Sequence, residues 1–198
     1  MRAVLTASAV LAVLASGVVS TSAAAQAARR APAPAASASA PLTAQGWGPL
    51  RIGMSRAQVV AAVGDHAPIP DLVDSPNGCE LFQPVRAPQG LRVMIEGGVL
   101  TSVWLRAPAR IQTSGRVGLR ATPAAIRSAH GAAARFEEGR YAPAPAGTYT
   151  VWTSGRANEH GNMEDSSARG IAYHVGESGR VEEIAAGGPS IGYSEGCS

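Results

Sequence analysis

The chain has 198 residues, 45% hydrophobic but only 5% aromatic, and its 17 basic residues, all arginine, stand against 14 acids for a net charge of +3. Without lysine it lacks the glycine-lysine loop that cradles phosphates in nucleotide-hydrolysing folds. Its scattered arginines also form no continuous basic stripe of the kind that nucleic-acid binding requires.

The chain opens with Arg2, an apolar run from Ala3 to Val19 and small residues around Ala25, Gln26 and Ala27. This reads as a secretory signal peptide over residues 1–27, cut after Ala27. The run is short for a membrane span and no second one of about 20 apolar residues follows, so the mature form is expected to lack a span. No cysteine lies at the cleavage site, which argues against a lipid anchor; a periplasmic or secreted location is expected. Residues 28–46, rich in Ala, Pro and Ser, read as a disordered linker, with structure expected to start near Trp47. The remainder suffices for one medium domain or two small ones sharing a core.

Gly48 to Gly64, GPLRIGMSRAQVVAAVG, lies without gaps on Gly115 to Gly131, GRVGLRATPAAIRSAHG. In each, a short alternating segment (Leu50, Ile52, Met54; Val117, Leu119, Ala121) precedes a helix N-cap, Ser55 or Thr122. Pro123 suits a first helical turn. Val59, Val60 and Val63 give the first helix an apolar face, Ala125, Ile126 and Ala129 give the second a weaker one, and Gly64 and Gly131 end them. After each helix comes an aromatic-bearing strand, CELFQPV from Cys79 or YTVWTSG from Tyr149. Then comes a hairpin: LRVMIE and VLTSVWLR about Gly97-Gly98, or GIAYHV and RVEEIAAG about GESG. The expectation is an α+β fold of two tandem repeats, residues 47–112 and 113–198, each a short helix packed on about three antiparallel strands.

The G-x-x-x-G-M-S-x-x-x-V-x-x-x-G opening, the strand cysteine, the near T-x-x-G-x-x-G start at Thr113 and the terminal EGC resemble a group of uncharacterised exported bacterial proteins. In architecture that group is similar to the tandem repeats of β-lactamase inhibitor proteins and of the outer-membrane assembly component BamE. The resemblance covers residues 47–198 and rests on caps and glycines. It implies fold, and an inhibitor-like or envelope role as an expectation.

Cys79 and Cys197 are the only cysteines. Export makes a disulfide between them the default, tying back the C-terminus, with two unpaired buried thiols as the alternative. NEHGNMED, residues 158–165, gathers Glu159, His160, Glu164 and Asp165, which have the chemistry of metal ligands. Their spacing matches no zinc or calcium pattern, and a solvated loop is expected. His66, His130 and His174 stand singly. Glu137 and Glu138, like Glu182 and Glu183, are strand neighbours that point to opposite faces, which defeats a paired-carboxylate mechanism. GYSEG, residues 192–196, fits the nucleophile-elbow pattern at Ser194. Only four residues follow it, and they supply no helix, acid or histidine partner.

Trp104 is out of phase with Val103 and Leu105 and so points away from the helix. Phe82 and Trp152 occupy matching strand positions in the two halves. Trp104, Trp152 and Phe82 are therefore either a protein-binding surface on an open sheet or core where the halves meet. The sequence reads as an exported non-enzymatic module binding an envelope or secreted protein, with no cofactor, no metal and no catalytic residue. A structural or envelope-stress protein is the alternative, ahead of a hydrolase or metal-dependent enzyme.

Overall fold

Alternation of Leu91, Val93 and Ile95, and of Val103 and Leu105 with Leu100 joining the same core across a bulge, builds strands with one face for a core. A computed structural model of the chain describes residues 39–66, 73–75, 78–139, 142–155, 163, 165–192 and 197. Its strands are β1 (Leu42–Thr43), β2 (Gly46–Trp47), β3 (Val73–Ser75), β4 (Cys79–Phe82), β5 (Leu91–Glu96), β6 (Val99–Arg106), β7 (Arg135–Glu138), β8 (Gly147–Ser154), β9 (Arg169–Val175) and β10 (Val181–Gly187). β1 and β2 pair with each other; the other eight form one sheet in the order β3-β4-β5-β6-β10-β9-β8-β7, every pairing antiparallel.

The predicted hairpins are β5-β6 and β9-β10, and both predicted helices form. α1 (Arg56–Val63) starts in a capping box in which Ser55 accepts from the Gln58 N–H and the Gln58 side chain reaches back to the Ser55 N–H. α2 (Pro123–His130) starts from Thr122, whose hydroxyl accepts from the Ala125 N–H.

The expected α+β arrangement of two tandem helix-plus-sheet repeats is overturned. The protein is mostly β, because β6 pairs with β10 from Ser102↔Gly187 to Arg106↔Glu183 and merges all later strands into one sheet. Nor can eight-residue helices cover it alone. α1 buries Val59 and Val63, and α2 buries Ile126 only.

The rest of the cover comes from upstream of Trp47, where a linker was expected. Leu42 exchanges main-chain hydrogen bonds with Gln112 and Ser114, and the Trp47 indole donates to the Ala40 carbonyl at 2.9 Å. Leu42, Ala44, Trp47 and Leu50 are thereby buried in the main core with Phe82, Val93, Val103, Leu105, Val151, Ile171, Tyr173 and Ile184. Leu50, Ile52 and Met54, expected as an extended segment, run through turns within this strap. Residues 1–38, which hold the expected leader and much of the expected linker, lie outside the described residues.

Candidate functional site: the sheet face opposite the helices

Antiparallel register places three rows of side chains on the face turned away from the helices. Thr148, His174, Glu183 and Arg106 cross β8, β9, β10 and β6 in the first. Thr150, Ala172, Ala185, Trp104 and Arg92 form the second, which reaches β5. Trp152, Gly170, Gly187, Ser102, Met94 and Leu81 form the third, ending on β4.

The third row and the middle of the second are roofed by the returning C-terminus. Ile191, in the 3₁₀ turn Pro189–Gly192, packs with Cys79, Leu81, Met94, Trp104, Ala172 and Ala185, with Trp152 and Cys197 at the margin. Cys79 and Cys197 are bonded, with an S–S distance of 2.05 Å and Cα atoms 5.5 Å apart. Gly170 makes room for the Trp152 ring, since a Cβ there would stand 2.6 Å from it.

Trp104 therefore points away from the helices, as its phase requires, yet only 2% of it is exposed. The open binding surface expected at Trp104 does not exist, because the roof takes the place assumed for a partner. Its indole N–H donates to Ser102 Oγ at 2.7 Å, and its ring stacks on His174 with centroids 5.7 Å apart at 11°. Ala185 of β10, the strand between those two rings, faces Trp104, and Ala172 of β9 faces Ala185, so small side chains continue the row of Trp104 toward the strand of His174. Phe82 is fully buried on the helix face, whereas Trp152 is half-buried on the other, so their expected equivalence fails.

The first row stays open at its β6 end. Arg106, more than half exposed, forms an ion pair with Glu183, which is 13% exposed. With His174 and Glu182 they line a cleft of about 450 Å³; Glu182 and Glu183, expected on opposite faces, share it because a bulge follows Val181 in β10. Burial pushes the Glu183 carboxyl above its ordinary range, and the Arg106 and Arg92 guanidiniums oppose the shift.

His174 meets Thr148 Oγ1 through Nδ1 at 3.1 Å, and its buried Nε2 has no hydrogen-bond partner among the described residues. Burial, reinforced by the Arg106 charge and offset in part by the Ile191 main chain, lowers the His174 pKa to about 4.

This dictates an acid sensitivity. The folded state keeps His174 neutral while the unfolded state protonates it below about pH 6.5, so its contribution is intact above pH 6.5 and is lost as pH falls to about 4. Glu183, with its folded pKa raised, acts oppositely: its contribution is present in acid and lost as pH rises. Denaturant titrations at pH 7 and pH 4 should show wild type losing about 2 to 3 kcal/mol more than His174→Gln. Equal losses in the two proteins would show that His174 titrates normally.

Other predicted residues lie apart from this cleft. His130 contacts the Tyr173 hydroxyl at 2.7 Å, which also meets Thr113 Oγ1 at 3.1 Å, all on the helix side. Burial lowers the His130 pKa and raises that of Tyr173. His66 packs edge-on against Phe82. Asp165 Oδ1 accepts from the Ser167 N–H and hydroxyl and so caps a turn. Glu159, His160, Glu164 and Ser194 lie outside the described residues.

Sequence reading missed Arg92, Arg106 and Glu183. The available signal was the alternation of Arg92 with Met94, of Arg106 with Trp104 and of Glu183 with Ala185, which marks a face polar at one end and apolar at the other. Among the described residues no helix is long and apolar enough to cross a membrane. No family model matches the chain, and no significant match to it was found among curated proteins or solved structures.

Proposed function

We propose that the chain is an exported, non-enzymatic protein-binding module of the cell envelope whose contact surface is the open part of the sheet face described above. The observation that carries this reading is the asymmetry of cover. Both helices and the N-terminal strap lie on one face, and the C-terminal roof covers only part of the other. What remains is a polar margin of Thr148, Thr150, His174, Glu183, Arg106 and Arg92 around a cleft, where hydrogen bonds and charge pairs with a partner chain would fix orientation. The leader-like N-terminus and the Cys79–Cys197 bond support an oxidising extracytoplasmic compartment.

Crosslinked capture from native envelope fractions tests the reading. A protein taken by wild type should be reduced at least about tenfold by Thr150→Arg or Arg106→Ala, each at the centre or rim of this face. It should be retained by Arg127→Ala on the helix side. Identical capture profiles for all four proteins would remove the binding face, and stoichiometric labelling of Ser194 by a fluorophosphonate would make the chain a hydrolase instead.

A further inference from the structure

β7 ends the sheet at one side, and all four of its residues, Arg135, Phe136, Glu137 and Glu138, are exposed. Its inner edge pairs with β8, Arg135 facing Thr150 and Glu138 facing Gly147, and no strand among the described residues pairs with its outer edge. Such an edge is a template for another strand.

Which of its main-chain groups point outward follows from one hydrogen bond. The Gly139 N–H donates to the Ala146 carbonyl. In an antiparallel ladder hydrogen-bonded pairs alternate, so residues 137 and 135 also turn their N–H and C=O groups inward. Those of Phe136 and Glu138 face outward, as does the Ala134 carbonyl, while the Ala134 N–H is held by the Gly131 carbonyl.

The side chains sort by face in a matching way. Phe136 is 42% exposed, lies over Gly147 and touches the Tyr149 ring, with centroids 4.7 Å apart. Arg135 and Glu137 stand on the opposite face, and neither is in an ion pair among the described residues.

We propose that β7 is a homodimerisation edge, with a second copy of this chain pairing antiparallel to it about a two-fold axis at Phe136. Only registers that match outward-facing residues of both copies can form hydrogen bonds, so an even residue must face an even one. Centring on Phe136 sets Phe136 against the partner's Phe136, each N–H donating to the other's carbonyl. Ala134 then faces the partner's Glu138, and Arg135 faces the partner's Glu137 twice over by symmetry. The register that sets Phe136 against the partner's Glu138 also brings outward-facing groups together, but its two-fold axis lies at Glu137 and sets that acid directly against its own copy, so like charges reject it.

Opposite charges across a strand pair stabilise it and like charges oppose it. The charges that discourage arbitrary partners at this edge thus admit one register of self-pairing. Four residues per copy bury far less than the roughly 1,200 Å² of a stable interface. The dimer is consequently weak, reversible and dependent on concentration.

Sedimentation velocity over a concentration series up to about 1 mM, in low salt, tests the register with two charge variants. Arg135→Glu places two acids opposite two acids in its own dimer, and Glu137→Arg places two arginines opposite two arginines. Each variant alone should associate at least about tenfold more weakly than wild type. An equimolar mixture of the two sets acids against arginines at both positions and should recover wild-type association. Both substitutions are at exposed positions, and unchanged thermal melts would show that the fold is kept. Wild type that stays monomeric throughout the series overturns the proposal. Association unaffected in either single variant, or not restored in the mixture, overturns it equally by placing the contact elsewhere.

Discussion

Trp104→Ala should destabilise the protein by about 3 to 5 kcal/mol, the range for removing a large aromatic side chain from a packed interior. The ring is nearly sealed from solvent, stacks on His174 and lies in the cluster roofed by Ile191. Its removal leaves a cavity bounded by a sheet on one side and a disulfide-tethered segment on the other, neither free to collapse fully. It also orphans Ser102 Oγ, which is buried and accepts the indole N–H. Trp104→Phe keeps much of the volume and loses the hydrogen bond, so its cost should be smaller. Denaturant midpoints with unchanged slopes measure both; a loss under about 1 kcal/mol for the alanine variant would place Trp104 outside the core.

Loss of the Cys79–Cys197 bond should cost about as much. The cysteines are separated by 118 positions, and in the chain-entropy view a loop of that length corresponds to about 4 to 5 kcal/mol. The double substitution Cys79→Ser with Cys197→Ser, or reduction of wild type, should lower the thermal midpoint by about 10 to 20 °C. Intact mass should rise by two hydrogens on reduction. The roof over Trp104 depends on the same bond, so removing the bond and Trp104 together should cost measurably less than the two separate losses added. Strict additivity would show that the C-terminal segment stays in place without its tether.

Local features were readable along the chain because each is set by neighbouring residues. Ser55 with Gln58 and Thr122 with Pro123 announce helix starts by supplying partners for N–H groups that a helix leaves unmatched. Gly97-Gly98 and the GESG turn announce hairpins because a tight reversal needs residues that tolerate positive φ, as Gly97, Gly98 and Gly179 do here. Phase along β6 also correctly opposed Trp104 to Val103 and Leu105.

Less legible were pieces whose order depends on distant partners. Leu42–Thr43 and Gly46–Trp47 sit in an Ala/Pro-rich stretch, and only contact with Gln112, Ser114 and the core under the sheet fixes them. β7, RFEE, reads as strand only through the neighbours Glu137 and Glu138; with three charges in four exposed residues it carries no core-seeking pattern, and pairing with β8 fixes it. The polar cleft joins Arg106 of β6 to Glu183 of β10 and His174 of β9, residues close only after the sheet has formed.

By itself, the sequence determined the caps, the hairpins, the side of each strand that seeks a core, and the two cysteines open to pairing, all of which follow from the chemistry of adjacent residues and from periodicity. Tertiary structure decided that β6 and β10 join the strands into one sheet and that the C-terminus folds over Trp104. It also left the edge of β7 unpaired among the described residues. These depend on which surfaces meet across 77 to 118 residues of chain, and alternation specifies only that a face must be covered, never what covers it.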